Sequence, residues 1–154
     1  MVKILAAAIP VLYIAVIWIQ SSYSTEAIIL FLTKGIDRVA VIEEPALPII
    51  LLGTLFELLH LIEFGILFFL SVLALQAFGL SSKRAIPIAL FIAAGYSVID
   101  EWHQYFTAGR SASWTDLLKD WAGIVIVWLL MIRHERKKRQ RRRAEWNTRL
   151  RKRA

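Results

Sequence analysis

Cysteine is missing from the 154 residues. That absence excludes disulfides, a thiolate metal site and a cysteine nucleophile, and redox chemistry gives no hint of the compartment. Charged residues are also scarce, at 20% of the chain, where an average soluble domain has about 25%. Hydrophobic residues make up 58%, above the about 45–50% of an average soluble domain, and they come in long runs. Mean hydropathy is +0.57. These values argue against a soluble globular domain. The abundance of aromatic and branched residues excludes disorder for most of the chain, because such residues will not stay solvated. No internal repeat is present, and the length suits one domain.

The net charge is +7, but it is unevenly placed. Residues 133–154 hold 12 Lys and Arg against two acids, Glu135 and Glu145, and carry +10. Residues 1–132 carry −3. The sequence therefore divides into an apolar, slightly acidic body over 1–132 and a basic tail over 133–154. The sequence pI of 10.1 describes the tail.

Residues 4–19 are apolar throughout, with Pro10 inside the run. At about 1.5 Å per residue they cover roughly 24 Å, enough for a short transmembrane helix. Lys3 and the apolar run also resemble the start of a signal peptide, but residues 20–24 make a poor cleavage site, so a retained anchor is expected. Residues 21–44 read as a loop with a short amphipathic piece around Lys34, Asp37 and Arg38. Pro45 and Pro48 mark a helix start. Residues 46–78 form the longest apolar stretch, broken by Glu57, His60 and Glu63. One helix of that length would reach roughly 50 Å, longer than a hydrocarbon core of about 30 Å. The expectation is an interfacial or dipping helix before His60, with Gly53 as a weak joint, then a second span over 61–78. A loop follows at 79–84, a third span at 85–99 and a polar segment at 100–116. A fourth span is expected at 117–132.

Cytoplasmic loops carry the excess of Lys and Arg. The basic tail therefore places the C-terminus inside, and four spans place the N-terminus inside as well. Lys83 and Arg84 then fall inside independently. Segments 20–47 and 100–116 fall outside. His60 and Glu63, Asp100 and Glu101, and Asp116 and Asp120 belong to three different helices, yet all lie at one extracytoplasmic boundary.

Helical positions three or four apart share a face. His60 and Glu63 point together, with Glu57 one turn earlier. Asp100, His103 and Gln104 share a face if the third helix continues that far, and Asp116 shares one with Asp120. A charge inside a span costs about 2.5–3.5 kcal/mol at the centre and less near the edge. Such groups need partners: Arg110, Lys119, a histidine or a metal. Three readings follow. His60, Glu63, Asp100, His103, Asp116 and Asp120 could ligate a divalent metal such as zinc, manganese or iron. Alternatively, a histidine beside a carboxylate would move a proton while Arg110 and Gln104 hold a head group. The bland reading is an ion-paired lock between helices. Intramembrane ionisable residues are a functional hypothesis by default, and that favours a site for the cluster as a whole.

Other features are simpler. Ser111 and Ser113 lack the glycine elbow of a nucleophile. Ser113 or Thr115 reads as a helix cap, and Asp116 suits the helix dipole. Trp102, Trp114 and Trp128 read as interfacial aromatics. Gly123 shares a face with Asp116 and permits close helix approach. The tail fits anionic lipid and topology better than nucleic acid, which is not expected as a partner.

The run from Asp100 to Ser113, D-E-W-H-Q-Y-F-T-A-G-R-S-A-S, resembles the VanZ-like family. That family carries D-E-x-H-Q-x-F-x-x-G-R-x-x-S, followed by an acidic residue and a glycine in the last span. Asp116 and Gly123 fill those positions. The H-x-x-E-[YF] pattern of the family is matched at His60, Glu63 and Phe64. Ser21, Ser22 and Ser24 are similar to its serines after the first span. Two positions depart: Glu57 stands where a basic residue is frequent, and Asp120 stands where asparagine is usual. The resemblance covers nearly all of the chain up to residue 132 and leaves out the tail. It implies a multi-pass protein of a bacterial cytoplasmic membrane, in a family whose namesake raises resistance to the lipoglycopeptide teicoplanin.

The expected architecture is all-α, an integral membrane bundle of four transmembrane helices with both termini cytoplasmic. The expected site is formed by His60, Glu63, Asp100, Glu101 and His103, with Arg110 and Gln104 on the ligand. Its expected ligand is an envelope lipid, wall precursor or lipoglycopeptide. Enzyme, binding or permeation protein, and structural subunit all stay open at this point.

Overall fold

The computed structural model describes residues 2–24, 27–28, 47–110 and 112–151, without the side chains of 2, 47–54, 56, 57 and 150. Lys34, Asp37, Arg38, Glu44, Pro45 and Ser111 lie outside the described residues, as does the Glu57 side chain. Among the described residues there are four long helices: α1 (Val2–Ser21), α2 (Leu47–Ala77), α3 (Ser82–Tyr105) and α4 (Trp114–Arg151). No strand occurs among the described residues. The all-α expectation holds.

Among the described residues three segments are long and apolar enough to cross a membrane: Lys3–Ser21, Leu58–Ala77 and Ser82–Tyr105. The fourth expected span, 117–132, does not join them. Its charge-free stretch lies between Asp120 and Arg133 and covers about 18 Å, short of a hydrocarbon core of about 30 Å.

One element runs on where the sequence pointed to a break. Residues 47–77 form one helix of 31 residues, not an interfacial helix followed by a span. Gly53 does not interrupt it, because one glycine costs about 1 kcal/mol in a helix and carries no turn by itself. Within the described residues, the part of this helix apolar enough to cross a membrane is Leu58–Ala77. The α4 helix continues for 38 residues, through residue 133 to Arg151. After Gly123 it contains no glycine or proline, and its Arg, Lys, Glu and Gln are good helix formers.

The turn from α2 to α3 is set by Gly79, which adopts φ +93°. The Gly79 N–H bonds the Gln76 carbonyl at 2.8 Å, and the Leu80 N–H bonds the Leu75 carbonyl at 3.2 Å. These are the paired bonds of a Schellman cap. Ser81 then opens α3 with an extended backbone.

The α2 helix packs against all three others, and α3 also touches α1 and α4. Phe64, Leu67, Phe68 and Val72 of α2 form the centre of the core. Ala85, Ala89 and Ala93 line α3 at four-residue spacing, so their small side chains lie along the buried face. Farther along α3 that face turns polar, at Ser97, Asp100 and Gln104. The α2–α4 crossing is closer still. A Cβ on Gly123 would sit 1.8 Å from the Leu61 carbonyl oxygen. Gly65 faces the same contact, with the Gly123 carbonyl 3.0 Å from its would-be Cβ. The close approach expected at Gly123 is therefore real. Outside the core, large apolar side chains face outward along the helices; Phe91, for example, is 79% exposed.

Candidate functional site

The chain runs up and down, so the end of α1, the end of α3 and the start of α4 meet beside the part of α2 that carries His60. Direct contacts tie them. Ser21 Oγ, at the last position of α1, donates to Asp100 Oδ2 of α3 at 3.0 Å. Gln104 Nε2, one turn beyond Asp100, donates to the same oxygen at 2.8 Å. Asp100 is 1% exposed, and its other oxygen, Oδ1, has no hydrogen-bond partner. The three polar groups thus form a satisfied lock on one side of the carboxylate and leave its other side open.

His103 lies beside this lock. Its ring stacks on Trp18 of α1, with centroids 3.9 Å apart and planes 16° from parallel. Ser22 Oγ donates to the Trp18 carbonyl at 2.8 Å and lies 3.5 Å from His103 Nε2. A hydroxyl has one hydrogen to give. With that hydrogen on the carbonyl, Ser22 can only accept from Nε2–H. The His103 tautomer with its proton on Nε2 fits this contact, and in it Nδ1 carries the ring lone pair. Nδ1 is buried and has no partner.

His60 and Glu63 share a face of α2, as their spacing requires. His60 Nδ1 lies 3.1 Å from Glu63 Oε2. The contact is close in distance but off the hydrogen-bond line, so both His60 nitrogens and Glu63 Oε2 lack a hydrogen bond.

Three expected residues have structural engagements. Glu101 accepts a short hydrogen bond from the Ser113 N–H and so ties α3 to the start of α4. Arg110 Nε donates to the Tyr23 carbonyl at 2.9 Å. Its neighbour Gly109 has φ +75°, and a Cβ there would lie 3.1 Å from Ser24 Cβ. Gly109 and Arg110 therefore latch the α3–α4 connection onto the residues after α1. Asp116 accepts from Lys119 Nζ at 2.8 Å. Asp120 is 4% exposed, and the carboxylates of Glu63, Asp100, Glu101 and Asp116 all act on it electrostatically. Ser113 caps α4 as expected, its Oγ accepting from the Thr115 N–H at 3.2 Å.

Hydrogen bonds thus join Ser21 of α1 to Asp100 of α3 and Glu101 of α3 to Ser113 before α4, while His60 of α2 acts electrostatically on Asp100 and Glu63 of α2 on Asp120. No group of three His, Asp or Glu side chains among the described residues is arranged to hold a metal ion. The divalent-metal reading finds no such donor set in this geometry. Sequence reasoning missed Trp18. The signal was available, since Trp18, Ser21 and Ser22 stand three and four apart on one helical face.

An apolar groove of about 690 Å³ opens between the end of α3 and the start of α4. Trp102, Tyr105, Phe106, Trp114 and Trp121 line it, with Glu101 and Ser113 at its polar edge. Trp102 and Trp114 are exposed as expected of interfacial aromatics, whereas Trp128 packs against the core.

No curated protein and no solved structure matches the chain. A family model described as VanZ/LLP1 matches residues 5–134. That range contains every helix end in the polar cluster and stops where the basic extension of α4 begins. The chain belongs to the VanZ/LLP1 family.

Proposed function

We propose that this protein binds the head group of an envelope amphiphile, a wall-precursor lipid or lipoglycopeptide, at the polar end of its bundle. In this reading it crosses a bacterial cytoplasmic membrane with both termini inside. The α4 segment 117–132 forms the fourth crossing, shielded by α2 and α3 where its own apolar stretch is short. The polar end then faces outward. One observation carries the reading: His60, Glu63, Asp100 and His103 present buried polar atoms without hydrogen bonds at one end of the bundle. Unpaired buried polar groups cost about 1–3 kcal/mol each, and a ligand that pairs them recovers that cost.

The charge balance selects the head group. Among the described residues, Glu63, Asp100, Glu101, Asp116 and Asp120 stand near two permanent cations, Arg110 and Lys119, which bond Tyr23 and Asp116. An N–H- or O–H-rich head, such as a peptide or amino-sugar portion, fits this field better than a bare anion. The apolar part of the ligand would lie in the aromatic groove beside Glu101. His103 Nδ1 is the group placed to take a proton from the bound head, and Asp100 Oδ1 is the nearby acceptor.

The test uses the purified full chain in detergent, with teicoplanin and a wall-precursor lipid as probes. Saturable binding is expected, weakened about tenfold or more in folded His103→Ala and Asp100→Asn variants. Equal binding by wild type and both variants would refute the site. Mass analysis of the probe after incubation separates the two modes of action. An altered probe mass, lost in His103→Ala, identifies turnover; an unchanged mass with retained binding identifies sequestration. In cells, a resistance phenotype should fall with the same variants at equal protein level.

A further inference from the structure

At the opposite end of the molecule a second groove, of about 750 Å³, opens where α4 leaves the bundle. Its lower half is apolar: Phe69 of α2 faces Val127, Leu130 and Met131 of α4. Phe69 lies within the membrane-crossing segment Leu58–Ala77. Its upper half is cationic. His134, Lys138 and Arg142 follow one another at four-residue spacing on one face of α4 and line the groove, with Arg139 beside them. Arg139 is paired with Glu135 at 3.4 Å. The facing wall is Gln76 and Ser82, the last turn of α2 and the first residue of α3. Gln76 Nε2 donates to Ser82 Oγ at 3.1 Å, which leaves the Ser82 hydroxyl hydrogen to donate elsewhere.

We propose that this groove is a binding site for one anionic phospholipid, with its phosphate held by Lys138, Arg142 and Ser82 and an acyl chain along Phe69, Leu130 and Met131. The division of the groove carries the argument. A phosphate accepts from cations and hydroxyls, and the apolar half continues directly below at the depth of a hydrocarbon core. A nucleic acid would use the cations but leave the apolar half empty. Juxtamembrane Lys and Arg are each worth about 1 kcal/mol toward an anionic membrane surface. The groove between α4 and the α2–α3 turn converts that diffuse attraction into a bounded site. Because α4 stays helical beyond the bundle, the cations hold fixed positions over the groove.

The full chain, delipidated in a non-ionic detergent, is titrated with dioleoyl phosphatidylglycerol and dioleoyl phosphatidylcholine, and bound lipid is counted by native mass spectrometry. One phosphatidylglycerol per chain is expected, preferred over phosphatidylcholine. Lys138→Gln with Arg142→Gln should weaken it about tenfold or more. Arg149→Gln with Arg151→Gln removes the same charge farther along α4 and should change little. Leu130→Trp, at an already exposed position, should weaken diacyl lipid by obstructing the apolar half. Equal loss in the two charge pairs would overturn the site in favour of diffuse attraction. Displacement of the lipid by millimolar inorganic phosphate would also overturn it, because the acyl contacts would then count for nothing. Tighter binding of a single-stranded RNA oligonucleotide than of phosphatidylglycerol, lost in Lys138→Gln/Arg142→Gln, would replace it with a nucleic-acid site. Circular dichroism and monodispersity report whether each variant is folded.

Discussion

Asp100 combines two opposite features in one side chain. One oxygen receives two donors, Ser21 and Gln104, while the other receives none. A structural lock and a ligand-facing acceptor therefore share a residue, and substitutions should separate them. Asp100→Asn keeps an oxygen for both donors and should unfold near the wild-type temperature. Asp100→Ala strands the two buried donors and should cost about 1–3 kcal/mol. Thermal unfolding in detergent reads the difference; equal losses would mean that the two hydrogen bonds do not hold the helices. Glu101 gives a parallel case. Its carboxylate accepts the Ser113 N–H, so Glu101→Ala should destabilise the α3–α4 junction by about 1–2 kcal/mol. Faster proteolysis between Phe106 and Trp114 is the local sign to look for.

At the scale of the element, glycines decide how closely helices pack. Gly123→Ala drives a methyl group into the Leu61 carbonyl, a contact between two backbones that no rotamer relieves. It should cost about 1–3 kcal/mol or more by overpacking. Gly95 is also inside a helix, but a Cβ there meets nothing within 4 Å. Gly95→Ala should leave stability unchanged or raise it by up to about 1 kcal/mol, through helix propensity. Paired melting curves in one detergent test both, and a tolerated Gly123→Ala would mean that α2 and α4 can separate without loss. The α3 helix adds a third lesson. Its buried stripe begins with alanines and ends with Ser97, Asp100 and Gln104, so the geometry that packs the bundle also delivers the polar groups to one end.

At the scale of the whole molecule, the two ends have opposite character. The end with His60, Asp100 and His103 gathers carboxylates, and the other end carries the arginine- and lysine-rich extension of α4. The positive-inside rule turns this asymmetry into an orientation. A reporter fused after Gly109 should report the outside, and one at the C-terminus should report the cytoplasm. Two cytoplasmic signals would mean that 117–132 does not cross, and the outward site would fail with it.

The sequence by itself determined the class of the molecule. Long apolar runs cannot stay in water, so helices across a membrane followed from composition. Spacing put His60 with Glu63 and Asp100 with Gln104, because a helix repeats every 3.6 residues. The arrangement of charge also gave the expectation that the polar residues share one level, which the reporter fusions test. Tertiary structure decided what local periodicity does not contain. Which donor meets which acceptor between helices depends on their rotation and crossing, so the bonds of Ser21 to Asp100 and of Arg110 to the Tyr23 carbonyl could not be read from spacing. The unbroken course of 47–77 was also misjudged, since hydrophobic length marks where a membrane begins and not where a helix ends. A helix ends at a cap or a strong breaker, and Gly53 by itself is neither.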